Sequence, residues 1–128
     1  MSALGRLWRF KRETEDVLDD LRADEAAPLV WMRTRAESAT YTATLGDQVI
    51  LATGGAGGIT INLPAAATAT YKTYVIKKVD SGGPGAVTID PAGAEKVDGA
   101  ATLALAAQYD SVMIVCDGTN WFVVADYP

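Results

Sequence analysis

The sequence predicts a mainly β chain: an N-terminal α-helix followed by an antiparallel β-sandwich or prism, assembled as an interwoven homotrimer. Three observations carry this expectation. After residue 40, short apolar runs recur between turns rich in Gly, Pro and Asp, with no helical periodicity. Residues 109–125 read as two strands joined by Asp117, Gly118, Thr119 and Asn120, a turn in which Gly tolerates positive φ and Asp can bond back to the backbone. Finally, the runs 49–52, 74–76, 112–116 and 121–125 are apolar at consecutive positions, so both faces of each are expected to leave water.

The totals limit what such a chain can do. Its 128 residues suit one domain with an appendage. With 11 basic and 16 acidic residues, a net charge of −5 and a pI near 4.5, it argues against nucleic acid or an anionic membrane as a partner. The absence of histidine excludes His-based triads and removes the nitrogen ligand of the usual zinc and iron sites. The lone Cys116 lies in an apolar run and reads as a small buried hydrophobe. No window holds the ~20 consecutive apolar residues of a transmembrane helix, and charges at every turn of the first segment are unlike a signal peptide. Synthesis in the cytoplasm is expected.

In chain order, residues 1–27 read as helix. Leu4, Leu7, Leu18 and Leu21 fall on one stripe at heptad spacing, but Lys11 and Thr14 occupy the intervening seam positions and break the coiled-coil signal. Phe10 and Val17 widen the stripe to an amphipathic face. Bases come early and acids late, against the preference of the helix dipole, as a helix held chiefly by a partner would tolerate. Leu4, Leu7, Trp8, Phe10, Val17, Leu18 and Leu21 are therefore the candidate anchoring interface. Pro28 ends the helix, and residues 29–35 follow as a strand or extended connector. The boundary is placed so that residues 1–39 form a helical anchor and connector and residues 40–128 a β-rich oligomerisation domain.

Within that domain, Gln48 to Thr53 is an apolar strand. Ile59, Ile61 and Leu63 alternate with Thr60 and Asn62 until Pro64 stops the run. Residues 71–79 form the next strand, and residues 80–85 a loop. Residues 86–90 alternate again, Lys96 and Val97 make a short edge, and residues 102–106 precede the final hairpin. A sandwich of about 90 residues normally leaves one face of each sheet wet. The doubly apolar strands thus imply a cover, supplied by the first segment or by other copies of the chain. The oligomer core is expected to draw on Val49, Leu51, Tyr74, Ile76, Val112, Ile114, Cys116, Trp121 and Val123, with three copies as the preferred count.

Candidate chemistry is sparse. Gly54, Gly55, Gly57 and Gly58 lie in the one loop that invites a phosphate reading, but a strand follows where a phosphate loop needs Lys-Ser/Thr and a helix N-terminus. The loop is expected to be a flexible hairpin connection. Acidic residues are scattered over turns without calcium-loop spacing. No cofactor or metal is expected. Sugar stacking would have to use exposed aromatics, with Tyr109 and Trp121 as the candidate glycan contacts, although Trp121 reads more readily as a packing residue.

The pieces Gly58-Ile-Thr-Ile-Asn-Leu-Pro-Ala-Ala, Tyr74-Val-Ile-Lys-Lys-Val-Asp, Val87-Thr-Ile-Asp, Val97-Asp-Gly-Ala, Tyr109-Asp-Ser-Val and Asp117-Gly-Thr-Asn-Trp-Phe-Val-Val, in that order, resemble a β-rich module of tailed-bacteriophage virion proteins, found in tail fibres, head fibres and capsid decorations. The match covers residues 40–126. The resemblance implies a trimeric, interwoven β structure without catalytic residues, joined to the particle by the part outside the block. A short anchor with one compact module suits a head fibre, head decoration or spike base on the virion, with a capsid or other virion protein as partner. The alternative is a tail-fibre or carbohydrate-binding adhesin that contacts a host glycan.

Overall fold

The computed structural model describes residues 32–81 and 85–128, and a compact β unit runs over Arg33–Pro128. The helix expected over residues 1–27 lies outside the described residues. Among the described residues nine strands follow one another: β1 (Thr34–Glu37), β2 (Tyr41–Thr42), β3 (Val49–Ala52), β4 (Ile59–Asn62), β5 (Thr73–Lys78), β6 (Val87–Asp90), β7 (Leu103–Leu105), β8 (Ser111–Cys116) and β9 (Trp121–Tyr127). A single 3-10 turn, Ala66–Thr68, lies between β4 and β5. Strand β1 belongs to the stretch read as connector, and it forms one edge of the larger sheet.

The strands make a five-stranded sheet, β1-β3-β5-β8-β9, and a four-stranded sheet, β2-β4-β6-β7. Each of the first six strands lies in the opposite sheet from its predecessor, so the chain winds as a coil of three turns. Neighbouring strands of successive turns run parallel: Thr34 pairs with Val49 and Val49 with Val75 in one sheet, Tyr41 with Ile61 and Ile61 with Ile89 in the other. Among the nine strands, antiparallel pairing is confined to β7 on β6, β8 on β5 and β9 on β8. The expected antiparallel sandwich is therefore corrected to two mixed sheets. The physical reason is that period-2 alternation says which face of a strand turns inward but not which strand lies beside it.

Crossing between sheets requires turns that hairpins do not. The glycine-rich segment after β3 delivers the chain to β4 in the other sheet, so it is an inter-sheet crossover and not the hairpin connection expected. Gly58 sits at φ 78°, and a Cβ there would meet the Ala86 carbonyl oxygen at 2.8 Å. Gly85 packs against the same loop: an added Cβ would lie 2.2 Å from Gly55 O and 2.3 Å from Gly58 N. Gly85→Ala is expected to push the two crossovers apart at a cost on the order of 1–3 kcal/mol, measurable as a lowered urea midpoint.

The core lies between the sheets. Ile50, Ala52, Tyr74, Ile76, Val112, Ile114, Cys116 and Trp121 face it from the larger sheet; Ile59, Ile61, Val87, Ile89 and Leu105 face it from the smaller. Trp121 and Tyr74 pack with ring centroids 5.6 Å apart. The Tyr74 hydroxyl donates to Thr44 O at 2.7 Å, and burial pushes its pKa up to about 12. The closing hairpin forms as its turn chemistry requires. Gly118 takes φ 97°, and the Asp117 carboxylate accepts from the Thr119 and Asn120 amides, both at 2.8 Å.

Candidate interaction surface

The alternation that buries one side of each strand fixes what the other side presents. On the larger sheet, β3 turns Val49 and Leu51 outward, β5 turns Val75 and Lys77, β8 turns Met113 and Val115, and β9 turns Phe122. Register aligns them in rows across the sheet. Val49, Val75, Met113 and Ala125 form one row; Leu51, Lys77, Ser111 and Tyr127 form the next. The most exposed large apolar residues of this sheet gather on the last hairpin: Met113 at 37%, Phe122 at 41%, Val124 at 58% and Tyr127 at 65%. A register shift between Met113 and Ile114 leaves Val124 without a partner on β8, as in a β-bulge. Beside the shift is a groove of about 190 Å³, lined by Val75, Met113, Ala125 and Tyr127 among others.

Lys77 is the one charged side chain on these rows. Its ammonium lies 5.3 Å from the Tyr109 ring centroid and 5.8 Å from that of Tyr127, and it donates to Tyr109 O at 3.2 Å. Tyr109 itself is 51% exposed and held at φ 70°. The two rings and the lysine stem extend the apolar surface around one cation.

Two polar clusters elsewhere are satisfied by the chain itself. Asp47 accepts from the Tyr41 hydroxyl at 2.7 Å and the Thr44 amide at 2.8 Å. Burial raises its pKa, but the bonds from Thr44 and Tyr41 outweigh that effect and leave the carboxyl below its ordinary value. Arg35, stacked 4.3 Å from the Tyr41 ring centroid, is engaged by Glu37. A cleft of about 500 Å³ beside Arg33, Arg35 and Asp47 is thus bordered at Arg35 and Asp47 by groups already engaged with Glu37, Tyr41 and Thr44. At the glycine crossover, Asp80 accepts from the Gly54 amide at 2.9 Å, the Gly55 amide at 3.0 Å and the buried Lys78 ammonium at 2.6 Å. The anion held by the glycine-rich loop is the chain's own carboxylate.

Among the described residues, no group of three or more Cys, Asp or Glu could hold a metal ion, and no helix is long and apolar enough to cross a membrane. Of the residues expected in an oligomer core, Val49 and Leu51 lie on the outward face. Tyr74, Ile76, Val112, Ile114, Cys116 and Trp121 are buried in the chain's own interior, and Val123 packs partly buried against it. Burial raises the Cys116 thiol pKa, consistent with an unreactive core cysteine. Trp121, fully buried, has no face to offer a sugar, whereas Tyr109 does. The anchoring set Leu4, Leu7, Trp8, Phe10, Val17, Leu18 and Leu21 lies outside the described residues. Val75, Met113, Val115, Phe122 and Tyr127 were not singled out by sequence. The signal for the first four was the second parity of the doubly apolar runs. Neither a family model nor a curated protein matches the chain.

Proposed function

We propose that this chain is a non-enzymatic structural protein of a tailed-phage virion, a short head fibre, head decoration or spike base. Its β unit builds a homotrimer, and its first 27 residues attach the trimer to a capsid or other virion protein. The observation that carries the reading is the pairing of a filled interior with an apolar outward face on the larger sheet. The interior between the sheets is packed with Ile, Val and two aromatic residues, while the strands that line it turn Val49, Leu51, Val75, Met113, Val115 and Phe122 the other way. Apolar surface in that position suits assembly with other chains better than solvent. The ordered pieces that resemble the phage module occupy this same unit.

Immunogold labelling of intact particles is the direct test, with label over the head expected; label on the tail would favour the adhesin, and unlabelled particles would overturn the assignment. Deleting residues 1–27 is expected to leave a folded oligomer, with a β-type far-UV spectrum and the same number of subunits, that no longer co-sediments with particles. Retained co-sedimentation would remove the anchor from the proposal.

A further inference from the structure

Resting on that oligomeric reading, we infer that the seam between copies is the free half of β9 with the groove beside it, and that the occupant is a second copy of this chain. Half of the β9 edge is already covered. The Trp121 amide donates to Lys96 O at 2.9 Å, Asp98 N donates to Trp121 O at 3.1 Å, and Val123 N donates to the Asp98 carboxylate at 3.1 Å. Beyond the register shift, residues 124–127 have no such cover among the described residues. Folded chains blunt exposed strand edges with charge, proline or a covering segment. This half carries a single charge, Asp126, among Val124, Ala125 and Tyr127, with Pro128 only after its end, and it adjoins exposed Phe122 and Met113.

Three further features favour a copy of the same chain. Protruding residues and a recess lie on one patch: Phe122 and Val124 project beside the groove formed by Val75, Met113, Ala125 and Tyr127. A knob from one copy entering the groove of the next is a head-to-tail contact, the kind that builds a ring of three when the rotation between copies is one third of a turn. The patch also carries both signs of charge, Lys77 on the outward face and Asp126 on the edge strand, and neither makes a salt bridge among the described residues. Opposite charges at two places on the patch can pair between successive copies in a head-to-tail contact. Finally, five strands spaced ~4.8 Å and up to seven residues long give a flat footprint of about 500 Å². A seam that starts at the β9 edge and spreads over this face has room to approach the ~800 Å² per partner of a standard interface.

The test is light scattering on the purified full chain at micromolar concentration, with Met113→Lys, Val124→Asp and, as a control on another exposed apolar residue, Leu45→Lys. The wild type and Leu45→Lys are expected at three times the 13.5 kDa chain mass, and the two seam variants at one third of the wild-type mass with unchanged far-UV spectra. Oligomeric seam variants beside an oligomeric wild type would overturn the seam while leaving the oligomer standing. A monomeric wild type would overturn both. Hydrogen exchange of the unmodified chain gives a reading independent of variant folding: amides 124–127 should exchange at least tenfold more slowly in the oligomer than after dilution to monomer. Equal rates would overturn the seam.

Discussion

Replacing Trp121 with alanine is expected to cost about 3–5 kcal/mol, a large part of the ~5–15 kcal/mol that holds a typical domain together. Trp121 is fully buried, packs on Tyr74 and begins the last strand of the larger sheet. Its backbone also ties that sheet to the Lys96–Asp98 region through two hydrogen bonds, which the substitution leaves available. The loss is therefore one of packing, and it should lower the urea midpoint steeply at nearly unchanged slope. Trp121→Phe should lose much less, because it keeps most of the ring and removes an indole N–H that has no acceptor among the described residues. Equal losses for the two variants would contradict a packing role.

The second large effect is expected at the Lys78 and Asp80 pair. Lys78 has a side chain 1% exposed, and its ammonium is 2.6 Å from the Asp80 carboxylate. Asp80→Ala would leave that ammonium buried without its carboxylate and release the Gly54 and Gly55 amides together, so a marked drop in thermal midpoint is expected. Adding Lys78→Met to Asp80→Ala should recover much of it, since the apolar side chain removes the stranded charge. The same site sets an acid limit. The hydrogen bond from Lys78, followed by that from the Gly54 amide, holds the Asp80 carboxyl well below the usual carboxylate range. Its stabilisation is present above the unfolded value, near pH 4, and is lost as pH falls through the lower folded value. Wild-type midpoints measured from pH 6 downward should fall below about pH 4, and Asp80→Asn should show a shallower fall. Superimposable pH profiles would remove Asp80 from this account.

How much of this was legible beforehand depended on the kind of question. Strand faces were readable residue by residue: Ile59, Ile61 and Leu63 point inward as the alternation with Thr60 and Asn62 requires. The Asp117-Gly118 turn was readable because few residues reach positive φ without strain. Pairing was not. The Val49–Ala52 and Ile59–Asn62 strands look like two arms of a hairpin around glycines, yet they lie in different sheets. The deciding contacts, Gly58 against Ala86 and Gly85 against Gly55, join residues too far apart for any local pattern to report. The surface was half legible. Doubly apolar runs marked the right strands, but choosing Val75 over Tyr74 and Ile76 for the outer face needed the register that only the fold supplies.

The path of the coil has a consequence for how the molecule is made. The parallel pairs among its first six strands each join strands of successive turns with another strand between them in the chain, whereas β8 and β9 need no more than the four-residue turn between them. Contacts separated by long stretches of chain form slowly, and local pairings form fast. The hairpin that can form fastest follows the coil in the chain, and it brings the Trp121 ring that packs on Tyr74. A nascent chain stopped before residue 121 would hold two sheets around an unfilled centre. Completion of the core thereby waits on the hairpin, and the edge at residues 124–127 is added in the same step that closes the interior.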